Sequence, residues 1–392
     1  MITDFQALSR QELHRYSRHL NLPDFGLEGQ NRLKASKILV IGAGGLGTPL
    51  LQYLAAAGVG TLGIVEFDHV DETNLQRQVL YNTSQVGQAK ASLAAQWVQA
   101  LNPHVEVLTH ELQLNRDNAF EIIDSYDLVA DGTDNFPTRY LVNDACVLLD
   151  KPLIYASIYR FEGQVSVFNH RNTEGEVGPN YRDLFPSPPP PGLVPSCAEG
   201  GVLGVLPGII GSMQALEAIK VAAGVGEPLS GRLMLFDALD FSVRTLRVAR
   251  DPDNPLNGSS PSIKELIDYE EFCRIAPSRA TLPLTDEVPG LSVGTLYQWR
   301  QEDKAHQLID VREPYEAEIV SLGGKLIPLG ELNNRASEIS KDIPVVIHCR
   351  SGKRSAKAVE ILAKEHGFDN LYSLNGGLLA WIDEIDSSLT RY

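Results

Sequence analysis

Over the first 250 residues, apolar runs of strand length alternate with amphipathic stretches of helical length. Residues 1–35 form a polar helical lead-in, with Ser9 and Glu12 spaced as a capping box. KILVIGAGGLG then reads as a buried strand opening into a glycine turn, TPLLQYLAAAG as a helix and TLGIVEF as a second strand, which is a βαβ unit. The alternation recurs in the helical AKASLAAQWVQALNP, the strand VEVLTHEL, the helical NAFEIIDSY and the strand DLVADGTDN. Repeated βα units predict a parallel sheet covered by helices on both faces.

From Pro152 the pattern changes to strands without intervening helices, PLIYASIYRFEGQVSVFNH, which predicts an antiparallel extension and so a mixed sheet. The prolines of Ser187 to Gly204 lack the N–H donors of a helix or central strand, so this segment is expected to be a long loop carrying Cys197. A helix, PGIIGSMQALEAIKVAAG, and one long strand, GRLMLFDALDFSVRTLRVAR, are expected to close a first domain over residues 1–250. Residues 251–289 mix Pro, Gly, Ser and acid and read as a linker with one short helix, followed by a second, smaller α/β domain over 290–392.

Composition narrows the function. Fifty Asp and Glu against 34 Lys and Arg leave a net charge of −16, which repels nucleic acid and anionic lipid as main partners. Neither a secretory leader nor a long apolar span is written in the chain, so a cytoplasmic protein is expected. Cys146, Cys197, Cys273 and Cys349 lie far apart with no CxxC pair, so any working cysteine works alone.

Gly42, Gly44 and Gly47 form GxGxxG between a strand and a helix, where glycines let a phosphate approach the amides at the helix start. Glu66, ending the next strand, is placed to accept from a ribose hydroxyl. This much suits NAD or ATP equally. DETNLQRQVLYNTSQVGQAK adds Asn74, Arg77, Gln78 and Lys90, and VADGTDNFPTRY adds Asp134 and Asn135 at a later strand end. Hydride transfer has no use for two cations and an acid there. Displacement at an α-phosphate does, because cations stabilise phosphate charge and an aspartate holds magnesium.

GAGGLG, FDHVDETNLQRQ, GQAK, DGTDN, VPSCAEGGVLG and PGIIGSMQALEAIK together resemble the ubiquitin-activating-type adenylyltransferases of the MoeB/ThiF family over about residues 8–250. The resemblance implies a Rossmann-like adenylation domain that uses ATP and magnesium. It further implies adenylation of the C-terminal glycine of a ubiquitin-like sulfur carrier of MoaD or ThiS type ending in Gly-Gly. Gly45, Glu66, Asn74 within the run Thr73, Asn74, Leu75, Gln76 and Arg77, Lys90, Asp134 and Asn135 match its ATP and magnesium positions. Arg18 matches an arginine that reaches a partner subunit's phosphates, which implies a homodimer, and Cys197 matches a cysteine that engages the carrier. Its alternative is a loop cysteine without a covalent role.

One departure stands out. Where MoeB-like proteins place two CxxC pairs around a structural zinc, this chain has Asn180, Asp183, Asn254 and Asn257. Amides and one carboxylate are poor substitutes for four thiolates, so no zinc is expected and the corner is expected to be held by packing alone.

In the second domain the informative run is HCRSGKRS, a short loop between the strand ending at His348 and a helix beginning near Ser355. Helix-start amides with Arg350, Ser351, Gly352, Lys353 and Arg354 would stabilise a thiolate or persulfide on Cys349. A phosphatase needs arginine at the sixth position after its cysteine, where this chain has Ser355. LIDVREPYE, GGKLIP, HCRSGKRS and NGGLLAW resemble the rhodanese family over about residues 291–390, implying that Cys349 carries a persulfide while Asp310 and Arg312 give structural support.

Joined in one chain, the two halves predict ATP-dependent activation of a carrier's terminal glycine, then sulfur transfer to form a thiocarboxylate. The sulfur donor is expected to be a cysteine desulfurase or thiosulfate. The whole-chain resemblance implies molybdopterin synthesis; tRNA thiolation and thiamine synthesis use the same chemistry. A dehydrogenase with a sulfur-binding tail and a non-catalytic docking scaffold for ubiquitin-like proteins remain as alternatives.

Overall fold

The computed structural model describes residues 7–189, 201–274 and 288–392. The chain divides into two compact units, one ending at Arg279 and one beginning at Ala280.

The first unit is built on an eight-stranded sheet. Its strands are β1 (Lys37–Ile41), β2 (Thr61–Val65), β3 (Glu106–His110), β4 (Leu128–Asp131), β5 (Leu153–Tyr159), β6 (Glu162–Phe168), β7 (Arg232–Asp237) and β8 (Ser242–Arg247), in the order β3-β2-β1-β4-β5-β6-β7-β8. β3 through β5 run parallel, and β6, β7 and β8 extend the sheet antiparallel, giving the expected mixed sheet. β1 is buried on both faces: Ile38 and Val40 join a core with Leu50, Leu54 and Ala215, while Leu39 and Ile41 join Val129, Ile123 and Tyr140. Burial on two sides explains the unbroken apolar run KILVI in place of alternation.

Because β1 leads to β2 and β3 on one side and the chain returns to β4 on the other, the order reverses between β1 and β4. The crevice at the carboxyl ends of those strands is where an open α/β sheet binds ligands. The lead-in helix Arg10–Arg15 has the expected capping box: Ser9 Oγ accepts from Glu12 N at 3.2 Å and Glu12 Oε2 from Ser9 N at 2.8 Å.

Two readings need correction. GRLMLFDALDFSVRTLRVAR is a hairpin of β7 and β8, not one strand. Leu239 N donates to Asp237 Oδ1 and Ser242 N to Asp240 Oδ1, both at 2.9 Å, and Phe241 takes a φ of 60°, so the acids build a turn inside an apolar run. Residues 251–274, read as linker, belong to the first unit. Leu256 and Tyr269 are buried, and the helix Tyr269–Arg274 packs on Phe136–Leu148 with Phe272 edge-on to Tyr140 at 5.2 Å. Scattered apolar anchors among Pro, Gly and acid hid this packing.

The second unit has a five-stranded, all-parallel sheet of β9 (Gly290–Leu291), β10 (Gln307–Asp310), β11 (Lys325–Leu326), β12 (Val345–His348) and β13 (Leu371–Leu374), ordered β11-β10-β12-β13-β9. The central strand β12 is wholly buried, and Cys349 follows its carboxyl end. Among the described residues, no helix is long and apolar enough to cross a membrane.

Candidate functional site

A cleft opens at the carboxyl ends of β1 and β4, lined by the glycine loop, Glu66, Asp68, Arg77, Gln78, Lys90, Asp134, Asn135 and Arg139. Gly42 turns the chain with φ of 90°, and a Cβ there would meet Gly132 O at 3.1 Å. A Cβ on Gly47 would lie 2.0 Å from Gly42 O, so only glycine lets the helix Gly47–Ala57 start so close to the turn. No side chain caps that helix; Thr48 N donates to Gly44 O at 2.9 Å and Pro49 carries no N–H, so an anion at this helix start would be met by the glycine loop itself.

The Glu66 carboxylate accepts from Ala43 N, Phe67 N and Asp68 N, each at 2.9 Å. It thereby ties β2 to the glycine loop, and three of about four carboxylate acceptor positions are used, leaving one for a hydroxyl. Lys90, 3% exposed, pairs with Asp68 at 3.2 Å. Arg77 donates to Thr73 O at 3.0 Å, which roots the guanidinium on the preceding turn. Asp134 is an exposed cleft residue just beyond β4, and Asn135 caps the helix Phe136–Leu148 by accepting from Thr138 N at 2.9 Å.

The expected residues gather unevenly. Gly42, Gly44, Gly45, Glu66, Arg77, Lys90, Asp134 and Asn135 line the cleft. Gly47, Thr73, Asn74, Leu75 and Gln76 are not among its lining residues, and Arg18 is an exposed residue outside the lining. Cys197 lies outside the described residues.

Sequence reasoning missed Arg139 and Asp68. Arg139 donates to Thr133 O at 3.0 Å and lies 5.8 Å from the Tyr155 ring, beside buried Asp131. Burial pushes the Asp131 carboxyl upward, against the pull of Arg139 and the Thr133 hydrogen bonds. The signal was available, because Arg139 falls one helical turn after Asn135 in DGTDNFPTRY.

A magnesium ion bound with phosphates takes one or two protein carboxylates, and Asp134, lining the same cleft as the glycine loop, fits that donor set. The four positions matched to zinc thiolates do not fit zinc. Asn180 Nδ2 donates to Asn257 Oδ1 at 3.0 Å, and Asn254 Nδ2 to Asp183 Oδ1 at 2.6 Å. Asp183 also accepts from Asp251 N at 2.9 Å and Asn180 N at 2.7 Å. These side chains satisfy one another, so the corner is held by a hydrogen-bonded clasp and not by packing alone. Among the described residues, no group of three or more His, Cys, Asp or Glu could hold a metal.

In the second unit, Cys349 is 1% exposed and its Sγ accepts from Gly352 N at 3.1 Å. The loop carbonyls are held the other way: Leu378 N donates to Cys349 O at 2.9 Å and Leu379 N to Arg350 O at 3.0 Å. A Cβ on Gly377 would meet Cys349 O at 2.5 Å, so glycine is needed for that approach. With the carbonyls turned the other way, Gly352 N faces the sulfur at the start of Lys353–His366, where the helix dipole favours an anion. Ser355 Oγ lies 3.8 Å from Sγ and is fixed by Gly352 O at 2.9 Å and Ser373 Oγ at 2.8 Å.

Arg354 makes a bidentate pair with Glu316 at 2.6 and 2.7 Å, and buried Asp310 and Arg312 pair at 2.6 Å. Burial pushes the Cys146 thiol strongly up and that of Cys273 up to about 11, so neither ionises near neutrality.

Residues 16–256 match the model of the ThiF family, and residues 292–384 that of the rhodanese-like domain. A Mycobacterium tuberculosis (strain H37Rv) protein named probable adenylyltransferase/sulfurtransferase MoeZ is 48% identical over 395 residues, covering 100% of this chain and 98% of that protein. Mouse adenylyltransferase and sulfurtransferase MOCS3 is 44% identical, covering 98% of this chain and 88% of that protein. A Thermus thermophilus sulfur carrier protein adenylyltransferase is 57% identical over 265 residues, 68% of this chain and 98% of that protein. The solved structure of E. coli MccB with ATP shares the fold at 21% identity and a TM-score of 0.53, over 62% of this chain and 74% of that one.

Proposed function

This chain belongs to the ThiF family and continues into a rhodanese-like domain, and on that premise we propose that it activates and sulfurates a ubiquitin-like sulfur carrier. It is an adenylyltransferase and sulfurtransferase. The observation that carries the nucleotide half is the convergence of the uncapped glycine-loop helix, Arg77, Lys90 and Asp134 on one cleft at the switch point.

In the first reaction the carrier's terminal carboxylate attacks the α-phosphorus of ATP, giving an acyl adenylate and pyrophosphate. The glycine loop, with Gly45, cradles the phosphates, Glu66 accepts from the ribose, and Arg77 and Lys90 stabilise charge on the non-bridging and leaving oxygens. Magnesium, held by Asp134 when bound, would neutralise part of the phosphate charge. Asn74 and Asn135 support the nucleotide, and Arg18 serves the cleft of a second copy in a homodimer.

In the second reaction Cys349 takes sulfur from a donor such as thiosulfate, releasing sulfite, or from a cysteine desulfurase. The outer persulfide sulfur attacks the acyl carbon and AMP leaves. A reductant supplies two electrons to break the acyl disulfide, giving a carrier thiocarboxylate and the Cys349 thiolate. Cys197 assists cleavage or holds the acyl group. We place these steps in molybdopterin synthesis; tRNA thiolation or thiamine synthesis would use the same chemistry.

The test is ATP–pyrophosphate exchange with a MoaD-type carrier ending in Gly-Gly. Carrier-dependent exchange lost in Asp134→Ala supports the reading. Carrier binding without exchange for any Gly-Gly carrier would make the protein a docking scaffold instead.

A further inference from the structure

Tyr392 sits where the polar supports of the sulfur loop meet. Its hydroxyl accepts from Arg312 Nη1 at 2.6 Å and donates to Glu316 Oε1 at 3.2 Å, the same carboxylate that grips Arg354 through both oxygens. Its ring lies 5.2 Å from the Arg350 guanidinium and 5.8 Å from that of Arg312. Arg350 directly follows Cys349, Arg354 stands in the first turn of the helix behind it, and Arg312 clamps Asp310, the residue beside His348 in the β10–β12 register. One half-buried side chain therefore touches one loop arginine through its π face, and reaches the other through Glu316.

We propose that Tyr392 is a positioning residue for sulfur transfer, its ring fixing Arg350 and its hydroxyl fixing the Glu316–Arg354 pair so that the Cys349 loop takes up anionic sulfur donors. The inference rests on the reading of Cys349 as the sulfur-carrying thiol. Aromatic contact orients a guanidinium while leaving its charge in place, and a bidentate pair fixes a fork in one plane. A loop that must repeatedly receive and release an anion gains from cations held in place in advance, since no ordering is then required on binding.

The test compares the full-length protein with Tyr392→Leu, which keeps apolar bulk without a ring, and with Tyr392→Phe, which keeps the ring without the hydroxyl. Two readouts are taken: KM and kcat for sulfur transfer from thiosulfate to cyanide, and the rates at which anionic iodoacetate and neutral iodoacetamide alkylate Cys349, followed by peptide mass mapping. Tyr392→Leu is expected to raise KM for thiosulfate about threefold to tenfold with a smaller change in kcat, and to lower the iodoacetate-to-iodoacetamide ratio by a similar factor. Tyr392→Phe is expected to recover part of both effects. A lower melting temperature with KM and the alkylation ratio both at wild-type values would overturn the proposal and leave Tyr392 a packing residue. Sulfur transfer that survives in Cys349→Ala would instead overturn the reading of Cys349, while the alkylation ratio still judges Tyr392.

Discussion

Lys90 Nζ lies 3.2 Å from the Asp68 carboxylate, with the lysine side chain 4% and the aspartate 60% exposed. A buried ammonium needs an anion, and on the proposed function a bound triphosphate would compete with Asp68 for it. Asp68→Asn is expected to lower KM for ATP about threefold by removing a carboxylate that repels phosphate. Lys90→Met is expected to lower kcat/KM in pyrophosphate exchange about 100-fold, because cationic stabilisation at a transferring phosphoryl group is lost. Steady-state exchange kinetics measure both, and an unchanged kcat/KM in Lys90→Met would remove the lysine from the mechanism.

Asp144 and Arg182 form a fully buried pair through two hydrogen bonds, 2.8 and 2.7 Å, with Tyr269 donating to the same carboxylate at 2.9 Å. Removing the carboxylate leaves a guanidinium stranded between Tyr140 and Phe272. Asp144→Ala is expected to destabilise the first unit by about 3–5 kcal/mol in urea unfolding. A loss below about 1 kcal/mol would show that water reaches the site and that the pair is not sealed.

The clasp of Asn180, Asp183, Asn254 and Asn257 joins segments 71 and 77 residues apart in sequence without a metal. Asp183→Ala strands part-buried donors of residues 180, 251 and 254 and is expected to cost about 2–4 kcal/mol. A zinc chelator is expected to leave the melting temperature of the ATP-free protein unchanged. A fall in melting temperature on chelation, reversed by zinc, would contradict the clasp.

Much of the cleft at the switch point was legible because local chemistry encodes it. Gly42 and Gly47 are demanded by a turn and a close approach, and both follow directly from KILVI and its helix. What stayed hidden depends on partners distant in sequence. Nothing near Asn180 announces Asn257, and nothing near Tyr392 announces Arg312, 80 residues earlier. The β7–β8 hairpin was missed for a different reason: its turn is made by aspartates within a run otherwise apolar enough to read as one strand.

His348 is fully buried beside Asp310, and burial pushes its pKa down to about 4 from an ordinary 6.5, with Asp310 opposing. The unfolded chain therefore takes up the proton first as pH falls. Stability present above pH 6.5 is lost on the way down to about 4, by at most about 1.4 kcal/mol per pH unit. Asp310 and Glu316, whose pKa values are lowered by their arginines after burial is overcome, lose their contribution as pH falls from the ordinary carboxylate range downward, below the pH 7 to 5 interval. Urea unfolding of the second unit between pH 7 and 5, followed by Trp299 and Trp381 fluorescence, is expected to show this slope in wild type and not in His348→Leu. Equal slopes would assign the acid sensitivity elsewhere.

The most direct test of the central claim is the intact mass of a MoaD-type carrier ending in Gly-Gly after incubation with this protein, magnesium, ATP, thiosulfate and a thiol reductant. Conversion to the thiocarboxylate, lost in Cys349→Ala while pyrophosphate release continues, and lost together with pyrophosphate in Asp134→Ala, is the predicted result. Thiocarboxylate formation that persists in Cys349→Ala, or a carrier left unchanged with no pyrophosphate released from any Gly-Gly carrier offered, would contradict it.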